Sequence, residues 1–172
     1  MSRIEPLLYT STRARSPAVE ISQAIAAGLA PDGGLYVPEV LPRIDPATFD
    51  PRGSIADTAA TLLAPFFAGD PLADELAAIC AEAFVFDAPL RPLPQHPQSL
   101  MLELFHGPTS AFKDFGARFL AACLQRLPRA SGQPLTILVA TSGDTGAAVG
   151  AAFHQRPGVR VVILYPDGKV SP

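Results

Sequence analysis

Apolar residues recur at nearly helical spacing through the first half of the chain. Val19, Ile21, Ile25 and Leu29 put one apolar face on a helix, which Ser16-Pro17 begins in the manner of an N-cap and first-turn proline. Pro31-Asp32-Gly33-Gly34 is a turn by its dipeptides and delivers Leu35-Tyr36-Val37 as a short strand. Ser54 caps a second helix carrying Ile55, Ala59, Leu62, Leu63 and Phe66, which stops at Gly69. Asp70-Pro71 restarts a shorter helix through Ile79. Pro89, Pro92, Pro94 and Pro97 then exclude a helix interior and predict an extended linker over 89–99.

Beyond the prolines the pattern changes. Leu100 to Phe105 is strand-like. Phe115, Phe119, Leu120, Cys123, Leu124 and Leu127 mark one face of a helix that ends at Pro128. Leu135–Val139 and Val159–Leu164 are short apolar runs of the buried-strand type, and Thr145 to Phe153 is a helix of small residues. Strand, helix, strand, helix, strand is the order of a parallel sheet with right-handed crossovers. The expected fold class is therefore α/β: a small, mostly helical N-terminal domain over 1–88, the linker 89–99, and the first part of a parallel, helix-covered sheet over 100–172. Two crossover helices are too few to cover both faces of such a sheet, so the chain reads as truncated, with apolar surface left open.

Composition narrows the function classes. The chain has 172 residues, 48% of them hydrophobic, and a formal net charge of −3. No basic run exceeds a pair of residues, which argues against nucleic acid or an anionic membrane as partner. No stretch approaches the roughly 20 apolar residues of a membrane helix, and Arg3, Glu5, Arg13 and Arg15 interrupt any signal peptide, so the cytoplasm is the expected location. Cys80 and Cys123 are isolated thiols without metal-ligand spacing, and no metal site is expected.

Two segments carry candidate chemistry. The first runs from Glu103 to Gly116. Lys113 lies between a strand end and a helix start, beside Phe112 and before Asp114, which can cap that helix. Desolvation favours a neutral amine, and a neutral amine attacks a carbonyl to form a Schiff base. The competing reading is a surface lysine at a helix N-terminus, where the helix dipole disfavours a cation. The second segment is Thr141-Ser142-Gly143-Asp144-Thr145-Gly146, which follows a buried strand and opens a helix. Free backbone N–H groups there can bind an anion, although an ordinary strand-to-helix turn has the same look. Asp144 opposes a multiply charged phosphate and favours a singly charged group such as a carboxylate. No Gly-Lys-Ser/Thr ending is present, which argues against a nucleoside triphosphate.

Together the two segments resemble the paired motifs of the pyridoxal-phosphate family that includes threonine synthases, threonine dehydratases and cysteine synthases. Thr109-Ser110-Ala111-Phe112-Lys113-Asp114 matches the family's Ser/Thr-x-Ala-Phe-Lys-Asp, and Ser142-Gly143-Asp144-Thr145 matches its Ser-Gly-Asn/Asp-Thr loop. Tyr9-Thr10-Ser11-Thr12-Arg13, with Gly28 to Pro38, resembles the small N-terminal domain peculiar to threonine synthases. His106-Gly107-Pro108-Thr109 and Leu164-Tyr165-Pro166 point the same way. Ala14 stands where a glycine is usual, and Asp167 where a basic residue is usual.

The resemblance implies a sheet of the tryptophan synthase β-like type and conversion of O-phospho-L-homoserine and water to L-threonine and phosphate. It implies Lys113 as the Schiff-base lysine for pyridoxal 5′-phosphate and Asp144 beside the cofactor's 3′ oxygen. Ser142, Gly143 and Thr145 would hold the substrate carboxylate. The chain would correspond to the N-terminal part of such an enzyme, inactive without its C-terminal half. The alternatives are a related phospho-lyase and an inactive folding or interaction module. Arg13 is either a structural anchor or a phosphate ligand, and His106 is a candidate positioning group. His96 and His154 are read as surface side chains, and Arg118 as a solvated or ion-paired one.

Overall fold

The computed structural model of the chain describes residues 5–128, 134–141 and 143–168. Two compact units divide it. The first contains the chain up to Glu82 together with Ala122–Leu127, and the second contains Ala83–Ala121 and the residues from Pro128 onward.

In the first unit, β1 (Tyr9–Ser11) pairs antiparallel with β2 (Tyr36–Pro38). Tyr9 also exchanges backbone hydrogen bonds with Val19, at 2.8 and 3.0 Å. That pairing holds Val19 in extended backbone, so α1 (Ile21–Ala27) starts later than Ser16-Pro17 suggests. Glu20 takes the N-cap, and its N–H donates to Gln23 Oε1 at 3.2 Å. The helix stops at Gly28, whose φ of 72° suits a residue without Cβ.

The next helix, α2 (Ile55–Leu63), carries a reciprocal cap. Ser54 Oγ accepts from the Asp57 N–H, and the Asp57 carboxylate accepts from the Ser54 N–H. A 3₁₀ turn over Ala64–Phe67 leads to Asp70, a buried carboxylate that accepts from the Leu72 and Ser22 amides at 2.8 and 2.9 Å. Another 3₁₀ turn runs into α3 (Leu76–Ala83). Phe67, Leu72, Leu76, Ile79, Cys80, Ala122 and Cys123 are among the buried apolar side chains of this unit's core. Arg126 donates to Glu75 and Glu82 on α3, at 3.2 and 2.9 Å.

The second unit opens on a hairpin, β3 (Leu90–Leu93) with β4 (His96–Leu102). The proline-dense stretch read as a linker is thus extended but paired. A two-stranded ribbon has two free edges, so a proline's missing N–H need not cost a ladder bond. The strand expected from Leu100 to Phe105 ends at Leu102 and pairs antiparallel, so it does not join a three-stranded parallel sheet.

Helix α4 (Lys113–Arg126) presents Phe115 and Phe119 to Phe84 and Phe86, with ring centroids 4.8 to 6.1 Å apart. Arg118, read as solvated or ion-paired, donates to the Ala83 carbonyl at 2.8 Å. Then come β5 (Leu135–Ala140), α5 (Asp144–Phe153) and β6 (Val159–Leu164), a strand–helix–strand unit in which Leu135 to Ala140 pair in parallel with Val159 to Leu164. Small residues let α5 lie close to the strands: a Cβ on Gly146 would meet Thr141 and Ile163, and one on Gly150 would stand 3.2 Å from Ile163 Cδ1. The class is α/β, as expected, with parallel pairing, among the described residues, confined to β5 and β6.

The first unit yields a pH test at Asp32. Its half-buried carboxylate accepts from Ser11 Oγ at 2.7 Å, from the Gly34 amide at 2.9 Å and from the Arg15 amide at 3.0 Å. The Ser11 bond, then the amide bonds, hold its pKa at about 2 against an ordinary 3.8. A carboxyl depressed by folding stabilises the fold fully above its unfolded pKa, and that contribution disappears as pH falls through the folded value. The difference in unfolding free energy between wild type and Asp32→Asn, measured by urea denaturation, should stay constant above about pH 5 and shrink between about pH 4 and 2. A gap that does not change with pH would contradict the assignment.

Candidate functional site

Both candidate segments lie in the second unit, each at a helix start. After β4, the Glu103 amide donates to the Pro89 carbonyl at 3.0 Å, and the chain turns through His106 and Gly107 towards α4. The Ser110 amide donates to the Gly107 carbonyl, and Ser110 sits at φ 55°, a left-handed conformation uncommon for a residue with a Cβ. Lys113 is the first residue of α4 and is partly buried. Its Nζ rests 4.5 Å from the centroid of the exposed Phe112 ring.

Asp114 does not act as the cap expected of it. It lies inside the first turn of α4, 1% exposed, and its carboxylate turns back into the loop. Oδ2 accepts from the Thr109 N–H at 2.9 Å and Oδ1 from the Thr109 hydroxyl at 2.8 Å. A Cβ on Gly107 would fall 2.5 Å from Oδ2, so the position has room only for glycine.

His106 has a partner that the sequence reading did not single out. Its Nε2 lies 2.8 Å from Glu103 Oε2, and its ring stacks on Phe105 with centroids 4.8 Å apart. The same Glu103 oxygen is 3.7 Å from Arg91 Nε. An acidic residue three positions before a histidine, at the end of a strand, was the available signal. Arg13 belongs to the first unit, where it donates to the Asp32 carbonyl at 2.9 Å.

In the second segment Gly143 is extended, and its amide donates to Thr141 Oγ1 at 3.2 Å. Asp144 and Thr145 begin α5 and are exposed, and Ser142 lies outside the described residues. The Gly146 amide bonds back to the Gly143 carbonyl, whereas the preceding amides at a helix start have no intrahelical acceptor. Among the described residues no hydrogen bond joins this segment to the lysine segment. A groove of about 630 Å³ between α5 and β6, lined by Phe153, His154, Val159, Val161 and Ile163, contains none of the candidate residues.

The cysteines are buried, and burial pushes the Cys80 thiol up to about 11 and the Cys123 thiol up to about 12. A thiol held that high is a poor nucleophile at neutral pH. Among the described residues no helix is long and apolar enough to cross a membrane, and no cluster of three metal-ligating side chains occurs.

Comparison with known proteins adds to this geometry. Residues 8–84 match the family model described as threonine synthase N terminus. Threonine synthase of Escherichia coli is 45% identical over 157 residues, covering 90% of this chain and 36% of the relative. That of Haemophilus influenzae is 44% identical over 154 residues, covering 90% and 35%. Among solved structures, pyridoxal-phosphate-bound threonine synthase from Brucella melitensis superposes with a TM-score of 0.85 at 37% identity, over 96% of this chain and 37% of that one. The yeast enzyme gives 0.83 at 34% identity, over 96% and 36%. The chain spans little more than a third of the length of the relatives it matches.

Proposed function

The chain is similar along nearly all its length to the N-terminal portion of threonine synthases, and on that premise we propose that it takes part in converting O-phospho-L-homoserine and water to L-threonine and phosphate. We further propose that Lys113 carries pyridoxal 5′-phosphate. The observation that supports this most is the position of Lys113, one of two lysines in the chain, at the first turn of α4 behind a fixed loop. The residues present fit the group: the amine rests on an aromatic face, partly buried, with a buried carboxylate holding the loop behind it.

Bound there, pyridoxal phosphate supplies an electron sink for carbanion chemistry on an amino-acid substrate. The rest falls to this chain's side chains. Lys113 Nζ takes the proton from the substrate Cα and returns protons to neighbouring carbons. The Asp144 and Thr145 amides and the Ser142 and Thr145 hydroxyls would orient the substrate carboxylate at the start of α5, with Gly143, whose amide donates to Thr141 Oγ1, shaping the turn that presents them. Asp144, exposed at the first turn of α5, would line the cofactor's side of this loop. In this reading residues 1–88 form the N-terminal domain, 89–99 the connection and 100–172 the first part of the cofactor domain, working in the cytoplasm without nucleic acid or membrane. A related phospho-lyase activity is separated from this one by product analysis.

Since the chain spans about 36% of its relatives, we also propose that the whole reaction needs the remaining length, and that this chain alone is an inactive module. The anchor for the cofactor's phosphate and the partner of its ring nitrogen would come from there.

Two experiments test the proposal. Borohydride reduction of the chain mixed with pyridoxal phosphate, followed by peptide mapping, should place the pyridoxyl group on Lys113 in preference to Lys169. Equal labelling of both, or labelling of Lys169 alone, would remove Lys113 from its role. In the second, the chain alone should form no threonine, and activity should appear when a separately produced C-terminal remainder is added. In that mixture Thr145→Val should weaken substrate about tenfold or more with little effect on cofactor, the worth of one hydrogen bond to a charged group. Threonine formation by the chain alone would refute the dependence, and loss of cofactor affinity alone would misplace the loop.

A further inference from the structure

The chain reaches Lys113 through a loop whose shape is set from inside the helix that follows it. Asp114 is almost fully buried, and each of its carboxylate oxygens is taken by Thr109, one by the amide and one by the hydroxyl. A buried carboxylate left without donors is costly, so the fold holds Thr109 where it is. Gly107 lies against the same group, since a Cβ there would press on the carboxylate. Between these points the chain makes a tight turn with Ser110 in the left-handed region, and residues 109–114 form a closed loop.

Lys113 is the residue just before the buried carboxylate. Its long side chain keeps its own rotamers, so what the loop fixes is the Cα and the direction in which the side chain leaves. A second effect follows from the hydrogen bonds. Both Asp114 oxygens are engaged by Thr109, so the carboxylate next to Lys113 in sequence has its donors in the loop, while the Lys113 amine rests on Phe112.

We propose that Asp114 and Thr109 are positioning residues for Lys113, with Gly107 as the close-approach point that lets them lock. The inference rests on the reading of Lys113 as the cofactor lysine, and it assigns to the pair a role in amine placement beyond holding the fold. Small displacements of a reacting group cost large factors in rate.

The test uses the two lysines of the chain as reporter and control. The chain is mixed with pyridoxal phosphate, the amine adds to the aldehyde with loss of water, and borohydride delivers hydride to the resulting carbon–nitrogen double bond. Peptide mapping over time gives the labelling rates at Lys113 and Lys169. Thr109→Val removes the hydroxyl donor and should lower the Lys113 rate about tenfold relative to Lys169, while Thr109→Ser should restore it. Gly107→Ala reaches the same carboxylate from the other side and should give the same loss. Circular dichroism and thermal melting identify the variants that remain folded. A merely structural clamp would lower the melting temperature and leave the labelling ratio of the folded protein at its wild-type value, and that result in either folded variant overturns the inference. If wild type itself shows no preference for Lys113, the functional reading fails; if it does and the variants keep the preference, only the positioning role fails.

Discussion

A carboxylate buried beside a helix start must find donors nearby, and much of the candidate site follows from how Asp114 meets that requirement. It bonds Thr109 twice, excludes any side chain from position 107, and leaves Lys113 at the first turn of α4. Hydrogen bonds to a charged group contribute about 1.5–3 kcal/mol each, so two of them outweigh the strain of one left-handed residue such as Ser110. The loop is therefore held by a local polar contact, and no large apolar side chain is needed to shape it.

The first unit uses the same device twice. Asp32 gathers the Ser11 hydroxyl and the Gly34 and Arg15 amides, fixing the turn that joins α1 to β2 against the segment after β1. Asp70 gathers the Ser22 and Leu72 amides, so one buried side chain serves the first turn of α1 and the turn before α3. In each case a short acidic side chain satisfies backbone donors that would otherwise be left without partners. The apolar core around Phe67 and Ile79 supplies bulk burial, and these carboxylates specify where the irregular segments go.

What could be read from the sequence follows the range of the interactions. The Ser54 cap of α2 was legible because donor and acceptor are three residues apart. The start of α1 was not, because the Tyr9–Val19 pairing that delays it joins residues ten apart. Prolines correctly excluded helix over 89–99, but they carry no information on whether extended chain finds a partner, and here β3 found β4. The placement of Lys113 at the start of a helix was legible from the apolar face that follows it. The direction of Asp114 was not, since an aspartate there can bond its own helix or the loop behind it, and the space left at Gly107 decides between them. The pairing of Glu103 with His106 was not singled out, because the spacing of three residues after a strand does not by itself say that the two side chains meet.

The account turns on the Asp114–Thr109 contact, and native-state hydrogen exchange at the Thr109 amide measures it directly. That amide belongs to a loop, yet it donates to a nearly fully buried carboxylate. It should exchange as slowly as the interior amides of α4, opening only with the structure around it. Exchange at the rate of an unstructured loop amide, in a protein whose α4 amides remain protected, would show that the clamp does not hold in solution and would contradict the account.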